Sequence, residues 1–310
     1  MSGDDATGDA AARPGGGVRP PKPARRNKAG RGLDHLGVLP FFVFVSIFLF
    51  WPSVVVISGA FQNNKGGFTL HNIAQVFAPE NLRVFTLSII LSAITALIGA
   101  VGGGLLAWAV ATGKRQGLLR RGVLAASSTL AQFGGVMLAF AFLATFGFNG
   151  LVTLFLKHQL GINIFAWGPW LYELPGLAVV YLYFQIPLMV IVFLPAVEGL
   201  RPQWREACET LGGGSAAFWR HVGLPILWPS FAGACLLLFA NAFSAYSTAA
   251  ALLSQADPLV TLRIGTFLTS EVVLGQANLG AALAFGMIVI VVVTTILYAL
   301  LKARTSRWLA

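Results

Sequence analysis

Six long apolar runs, separated by short segments carrying Gly, Pro and charge, make up almost everything after residue 32. They fall at about 36–61, 84–111, 123–146, 176–197, 226–250 and 280–301. Each approaches or exceeds the roughly 20 apolar residues that cross a hydrocarbon core. The pattern predicts an all-α membrane protein with about six transmembrane helices. Composition agrees: 56% of the 310 residues are hydrophobic and only 10% are charged, whereas soluble domains run near a quarter charged.

The polar remainder is unevenly placed. Residues 1–32 are poor in large apolar side chains and hold Arg19, Lys22, Arg25, Arg26, Lys28 and Arg31. The expectation is a disordered basic cytoplasmic tail, near anionic lipid, ahead of a membrane domain at 33–307. It is not read as a cleaved signal peptide, because the apolar run behind it is too long and lacks a small-residue cleavage site. With the N-terminus inside, 17 Lys and Arg fall on inner segments and four on outer ones. That split predicts both termini in the cytoplasm. It also accounts for the net charge of +10 without nucleic acid as a partner.

The most polar interruption of the second half lies between the fourth and fifth runs, at about 198–225. Small Ala207 and Cys208 suit a segment lying in a narrow groove. Gly212 permits the positive φ that ends a helix and turns the chain. Ala216–Trp219 suits a second short helix, and Pro225 sits where the next membrane helix starts. The lesser alternatives are a solvated interfacial charge at Glu206 and an ordinary helix C-cap at Gly212.

In order, the stretch reads Glu206-Ala207-Cys208, three residues, Gly212, nine residues, Val222-Gly223-Leu224-Pro225. It resembles the EAA loop of permease subunits of binding-protein-dependent ABC importers. The departures are Cys208 for the second Ala and Val222 for Ile. The resemblance implies a type I ABC importer permease fold whose coupling loop docks on an ATPase. Glu206, Ala207, Cys208, Gly212, Leu224 and Pro225 would make the contact, with Glu206 and Gly212 the most sensitive. It further implies a second permease subunit, identical or related, and an extracytoplasmic solute-binding protein. The chain itself would be no enzyme, ATP hydrolysis belonging to the partner, and would sit as a multi-pass protein in a bacterial inner membrane. Tyr183–Leu188 and Pro195–Leu200 are similar to the branch that includes spermidine/putrescine permeases, which implies a polyamine as solute. The same branch includes permeases for ferric iron, phosphonate and thiamine.

Within the runs, polar side chains are costly unless they face a partner or a water-filled path. Gln185, Asn241, Ser244 and Tyr246 are the candidate translocation-path residues, with Gln132, Ser247 and Thr248 beside them. Glue between helices is an equal reading for the 241–248 group. Gln185 precedes Ile186-Pro187, which predicts a kink in the fourth span. No carboxylate falls within a span. Gly102-Gly103-Gly104 reads as helix packing. The outer loops at 147–175 and 251–279 are expected at the bilayer interface or against an external delivery protein, the first as a surface-lying segment with a short helix.

Other chemistries find no support. There is no Gly-x-x-x-x-Gly-Lys-Ser/Thr phosphate loop. The four histidines lack metal-ligand spacing, and the two cysteines suggest neither a disulfide framework nor a metal site. No cofactor is implied. A secondary transporter, the alternative class, would typically show internal repeats and ionisable groups within the spans; neither is visible.

Overall fold

The computed structural model describes residues 39–63, 65–113, 117–253, 259–269 and 276–306. The basic tail expected at 1–32 lies outside them. The chain divides into two compact units, Met1–Pro52 and Ser53–Ala310. In the first, α1 (Leu39–Val45) passes into a π turn at Ser46–Phe50, with no buried side chain. Phe44 and Phe48, one helical turn apart, put their rings 4.8 Å from each other.

The second unit begins within α2 (Trp51–Ala60), continues through α3 (His71–Val76) and is dominated by α4 (Pro79–Thr112). Pro79 in the first turn costs no hydrogen bond, because that N–H is unpaired in any helix. The 34 residues of α4 reach about 51 Å at about 1.5 Å each, well beyond a hydrocarbon core of about 30 Å. Next come α5 (Leu118–Gln132), α6 (Gly135–Phe146), α7 (Leu151–Gln159) and α8 (Leu174–Glu198). α9 (Pro202–Thr210) and α10 (Ser215–Phe218) precede α11 (Leu224–Phe243), α12 (Ser247–Leu252), α13 (Val260–Thr269) and α14 (Ala277–Ser306). Six helical stretches among the described residues are long and apolar enough to cross a membrane: Leu39–Ala60, Pro79–Thr112, Gly135–Gln159, Leu174–Glu198, Ser215–Phe243 and Ala277–Leu301. The all-α, six-span expectation stands.

The core is a set of helix seams, the tightest between α4 and α8. A Cβ on Gly103 would come 2.5 Å from the Ile186 carbonyl oxygen and 2.5 Å from Met189 Cβ. A Cβ on Gly99 would come 2.9 Å from Gln185. The glycine run predicted to serve packing therefore lets two backbones approach as no side chain allows. Around it Ala96, Ala100, Met189, Phe193 and Leu238 are buried together.

Three elements differ from the sequence expectation. The third run, expected as one helix over 123–146, is two: it stops at Gln132 and restarts at Gly135. Gly134 is extended and Gly135 has φ +70°, a left-handed conformation that glycine adopts without strain. The fifth, expected over 226–250, stops at Phe243 and restarts at Ser247. At its end Ser244 Oγ donates back to the carbonyls of Ala240 (2.6 Å) and Asn241 (3.3 Å), the first of which also accepts the Ser244 N–H (3.1 Å). The kink expected at Pro187 does not divide its span, for α8 runs unbroken through Pro187 and Pro195.

Candidate functional site

Two regions carry the sequence's candidate residues. The first is the segment after α8. Pro202 opens α9, and Glu206 lies in its middle rather than at its start. The helix closes with paired hydrogen bonds: Gly212 N–H donates to Glu209 O (3.0 Å) and Gly213 N–H to Cys208 O (2.8 Å). This is the Schellman arrangement, which needs a left-handed residue after the last turn; Gly212 supplies it at φ +80°. A Cβ on Gly213 would strike Cys208 Sγ at 2.6 Å, so the turn packs directly against the half-buried thiol.

The second short helix is not separate. α10 leads through a π turn at Trp219–Gly223 straight into α11. Pro225 explains the widened turn, since its ring crowds the carbonyl four residues back and brings no N–H to it. No residue of α9 is buried. Glu206, Ala207, Gly212, Leu224 and Pro225 are exposed, as is Leu211 at 88%. Arg205 Nε pairs with Glu209 Oε1 at 3.1 Å along the same helix face, while Glu206 makes no ion pair among the described residues. At the root of the segment Glu198 pairs with Arg120 of α5. The arrangement is an exposed helix carrying Glu206 and Glu209, closed by the Gly212 turn that leads toward α11, with an ion pair between the end of α8 and α5 at its root.

The second region lies where the two interrupted spans meet. α12 packs on α6, and Thr248 Oγ1 donates to the Gly135 carbonyl at 3.2 Å. Tyr181 of α8 is buried and donates to the Ala245 carbonyl at 2.9 Å. Beside each break a backbone carbonyl thus accepts from a hydroxyl of another helix. Between the breaks is a cavity of about 320 Å³. Asn241, Ser244 and Tyr246 line it, and so do Gly134, Gly135 and Ser247. Phe184 reaches it from α8, ten residues or about 15 Å beyond Leu174, near the middle of that span. A second cavity of about 490 Å³, walled by Ile264, Met287 and Val291, shares Ser244 and Tyr246 with the first.

Three of the four candidate path residues, Asn241, Ser244 and Tyr246, therefore share one cavity. Gln185 does not. It is 0% exposed and faces α4, where its Nε2 donates to Thr95 Oγ1 at 3.0 Å and its Oε1 has no partner among the described residues. Sequence reasoning missed Gly134, Gly135 and Phe184. A Gly-Gly pair inside an apolar run is the one signal that marked the first break. Among the outer-loop residues singled out, Asp257, Pro258 and Glu271 lie outside the described residues. Arg263 pairs with Glu80 at 3.3 Å. The segment after α6 holds the short helix α7 and the rings of Phe148, Phe165 and Tyr172 packed on one another, with Trp167 fully exposed.

No protein-family model matches the chain, and no curated protein sequence matches it. Solved structures do. The chain resembles a chain of a bacterial ABC transporter involved in the import of the acidic polysaccharide alginate. The TM-score is 0.67 at 18% identity, covering 90% of this chain and 96% of that one. It matches equally a chain of the bacterial alginate ABC transporter in complex with an alginate pentasaccharide-bound periplasmic protein. There the TM-score is 0.67 at 18% identity, over 91% of this chain and 96% of that one. At that identity the likeness is one of fold, and it extends over nearly the whole of both chains.

Proposed function

We propose that the chain is the membrane-spanning, translocating subunit of a binding-protein-dependent ABC importer, and that the segment at about 198–225 is its coupling loop. The observation that carries the reading is α9: an exposed helix, closed by the Gly212 turn, bearing the EAA-like residues and placed between α8 and the helical stretch that runs into α11. A docking helix must be free on its outer face and rigid at its ends, because a mobile connection would not transmit a partner's movement to the spans. The fold shared with chains of an ABC importer supports the same reading, and one of those structures includes a loaded periplasmic protein of the kind this chain would receive solute from.

In this mechanism ATP binding draws two ATPase subunits together beneath two permease subunits. The coupling helices follow, and the spans rock between inward-open and outward-open forms. Coupling requires that the ATP-bound state and the loaded binding protein both favour the outward-open form, since a ligand shifts only an equilibrium whose two states it binds differently. The excess of Lys and Arg on the α9 side supports a cytoplasmic loop and a bacterial inner-membrane location. Polyamines are the first solute to test, on the strength of Tyr183–Leu188 and Pro195–Leu200.

The experiment is uptake of labelled spermidine by cells with and without the chain, with ATP depletion as control, repeated for iron, phosphonates and thiamine. Glu206→Ala and Gly212→Pro are expected to leave the chain in the membrane and stop uptake of whichever solute responds. Full uptake in both variants would refute the docking role of α9.

A further inference from the structure

We infer that the cavity between the two interrupted spans is the solute's seat within the membrane and takes an uncharged, hydroxyl-rich molecule of the sugar or polyol class. The inference rests on the importer reading above, and it departs from the polyamine one.

The position comes from the backbone. Non-helical chain at membrane depth is tolerated where it is buried in protein or lines a watery cavity. Here two spans far apart in sequence are interrupted at the same place, tied by the bond from Thr248 to Gly135 and braced by the one from Tyr181 to Ala245. Its volume of about 320 Å³ falls at the low end of the about 300–1,000 Å³ of small-molecule sites. The side chains of Asn241 and Ser247 line it and form no hydrogen bond within the described residues.

The chemical class comes from the lining. Among the described residues it offers an amide, several hydroxyls and two aromatic rings, Phe184 and Tyr246, with no carboxylate, ammonium or guanidinium. The helix ends do not supply the missing charge. α5 and α11 end at the cavity with their carbonyls, while α6 and α12 begin there with their N–H groups, so partial charges of both signs offset each other. A polycation would lose water there with no anion to meet it, at a cost of several kcal/mol per charge. An anion meets the same obstacle. A polyhydroxylated neutral molecule brings donors and acceptors together, which matches Asn241, Ser244 and Ser247, and its carbon skeleton can rest on Phe184.

The test is the modification rate of Ser247→Cys in membrane vesicles holding the full chain with its native partners. Three methanethiosulfonates of similar size serve as probes: hydroxyethyl, trimethylammonium-ethyl and sulfonatoethyl. Rates are corrected for each reagent's reactivity with a free thiol and for labelling of the parent chain, which carries Cys208 and Cys235. Leu297→Cys, on an exposed face of α14, reports background from lipid. If Ser247→Cys is not produced, Ala131→Cys probes the same cavity. The expected result is a rate at least tenfold higher for the hydroxyethyl reagent than for either charged one. Adding Asn241→Asp should turn the preference tenfold toward the cationic reagent. A parent cavity that reacts as fast with the cationic reagent overturns the solute class, and one that reacts with none overturns the site. ATP-dependent spermidine uptake that vanishes with the chain overturns the class but keeps the importer reading. Tenfold selectivity without ATP-dependent uptake of any solute keeps the cavity's preference and sinks the importer reading on which its assignment as a solute seat depends.

Discussion

Phe184 and Gln185 are neighbours in α8 yet stand in opposite environments. One helical residue turns the side chain by about 100°, enough to carry it from one seam to the other. On the Gln185 side α8 meets α4 through Gly99 and Gly103, both helices are unbroken, and no space is left. On the Phe184 side α8 meets two broken spans and a polar cavity. The first seam has the features of a scaffold, closest approach and full burial. The second has those of a working surface: interrupted backbone, polar side chains and room. A polar residue within a span is thus not in itself a path residue, and its neighbour one position away can be.

The largest expected effect lies in the scaffold. Gly103→Ala adds one methyl that would meet a backbone oxygen at 2.5 Å. Helices cannot yield there as a side-chain tip can, so the loss should reach about 3 kcal/mol or more. It should appear as a sharp fall in folded yield and thermal stability in detergent. Gly122→Ala is the control, since nothing lies within 4 Å of the added carbon. A Gly103→Ala chain as stable as Gly122→Ala would show that the seam is not closed.

Gly135→Ala ranks next and fails for a different reason. The added carbon would sit 3.7 Å from Ser247 Cβ, an ordinary contact, so the cost is that of holding Ala at φ +70°, about 1–2 kcal/mol. The chain should fold, melt at a lower temperature and label more slowly at position 247, because the break between α5 and α6 sets the cavity wall. Unchanged labelling would separate the break from the cavity. Tyr181→Phe is milder still. It removes the donor to the Ala245 carbonyl and leaves the ring in place, at a cost of about 1 kcal/mol in stability. Its distinguishing outcome is a change in labelling at 247 larger than that caused by any equally destabilising substitution in the α4–α8 seam.

The contrast between the seams also explains what the sequence showed. The spans were legible because hydropathy accumulates over 20 residues and tolerates local error. The turn after α9 was legible because Gly212 carries its own conformational signature, and the start of α11 because Pro225 does. The breaks were hidden for the converse reason. Phe133 and Ala245 are apolar, so the runs continue in composition where the helices stop, and the stops are made by partners from other helices, Thr248 and Tyr181. The polar run from Asn241 to Thr248 was visible, but whether it glued helices or opened a space depended on Gly134 and Gly135, more than 100 positions earlier. Gln185 was grouped with that run, although it faces α4, because polarity can be read from a residue while the direction it faces cannot.

The direction Gln185 faces yields the smallest and most discriminating prediction. Gln185→Met keeps an unbranched side chain of similar length at a fully buried position. It forfeits the bond to Thr95 Oγ1, but that hydroxyl still donates to the Leu91 carbonyl at 2.9 Å. It also removes an oxygen that has no partner among the described residues, and an unmet buried acceptor is itself costly. The two changes oppose each other, so stability should move by less than about 1 kcal/mol. Uptake should remain above half of the parent rate. Asn241→Leu, equally apolar but within the cavity, should abolish uptake at the same level of folded protein. If Gln185→Met instead stops uptake while the chain stays folded, α8 presents its path face toward α4, and the roles of the two seams are reversed.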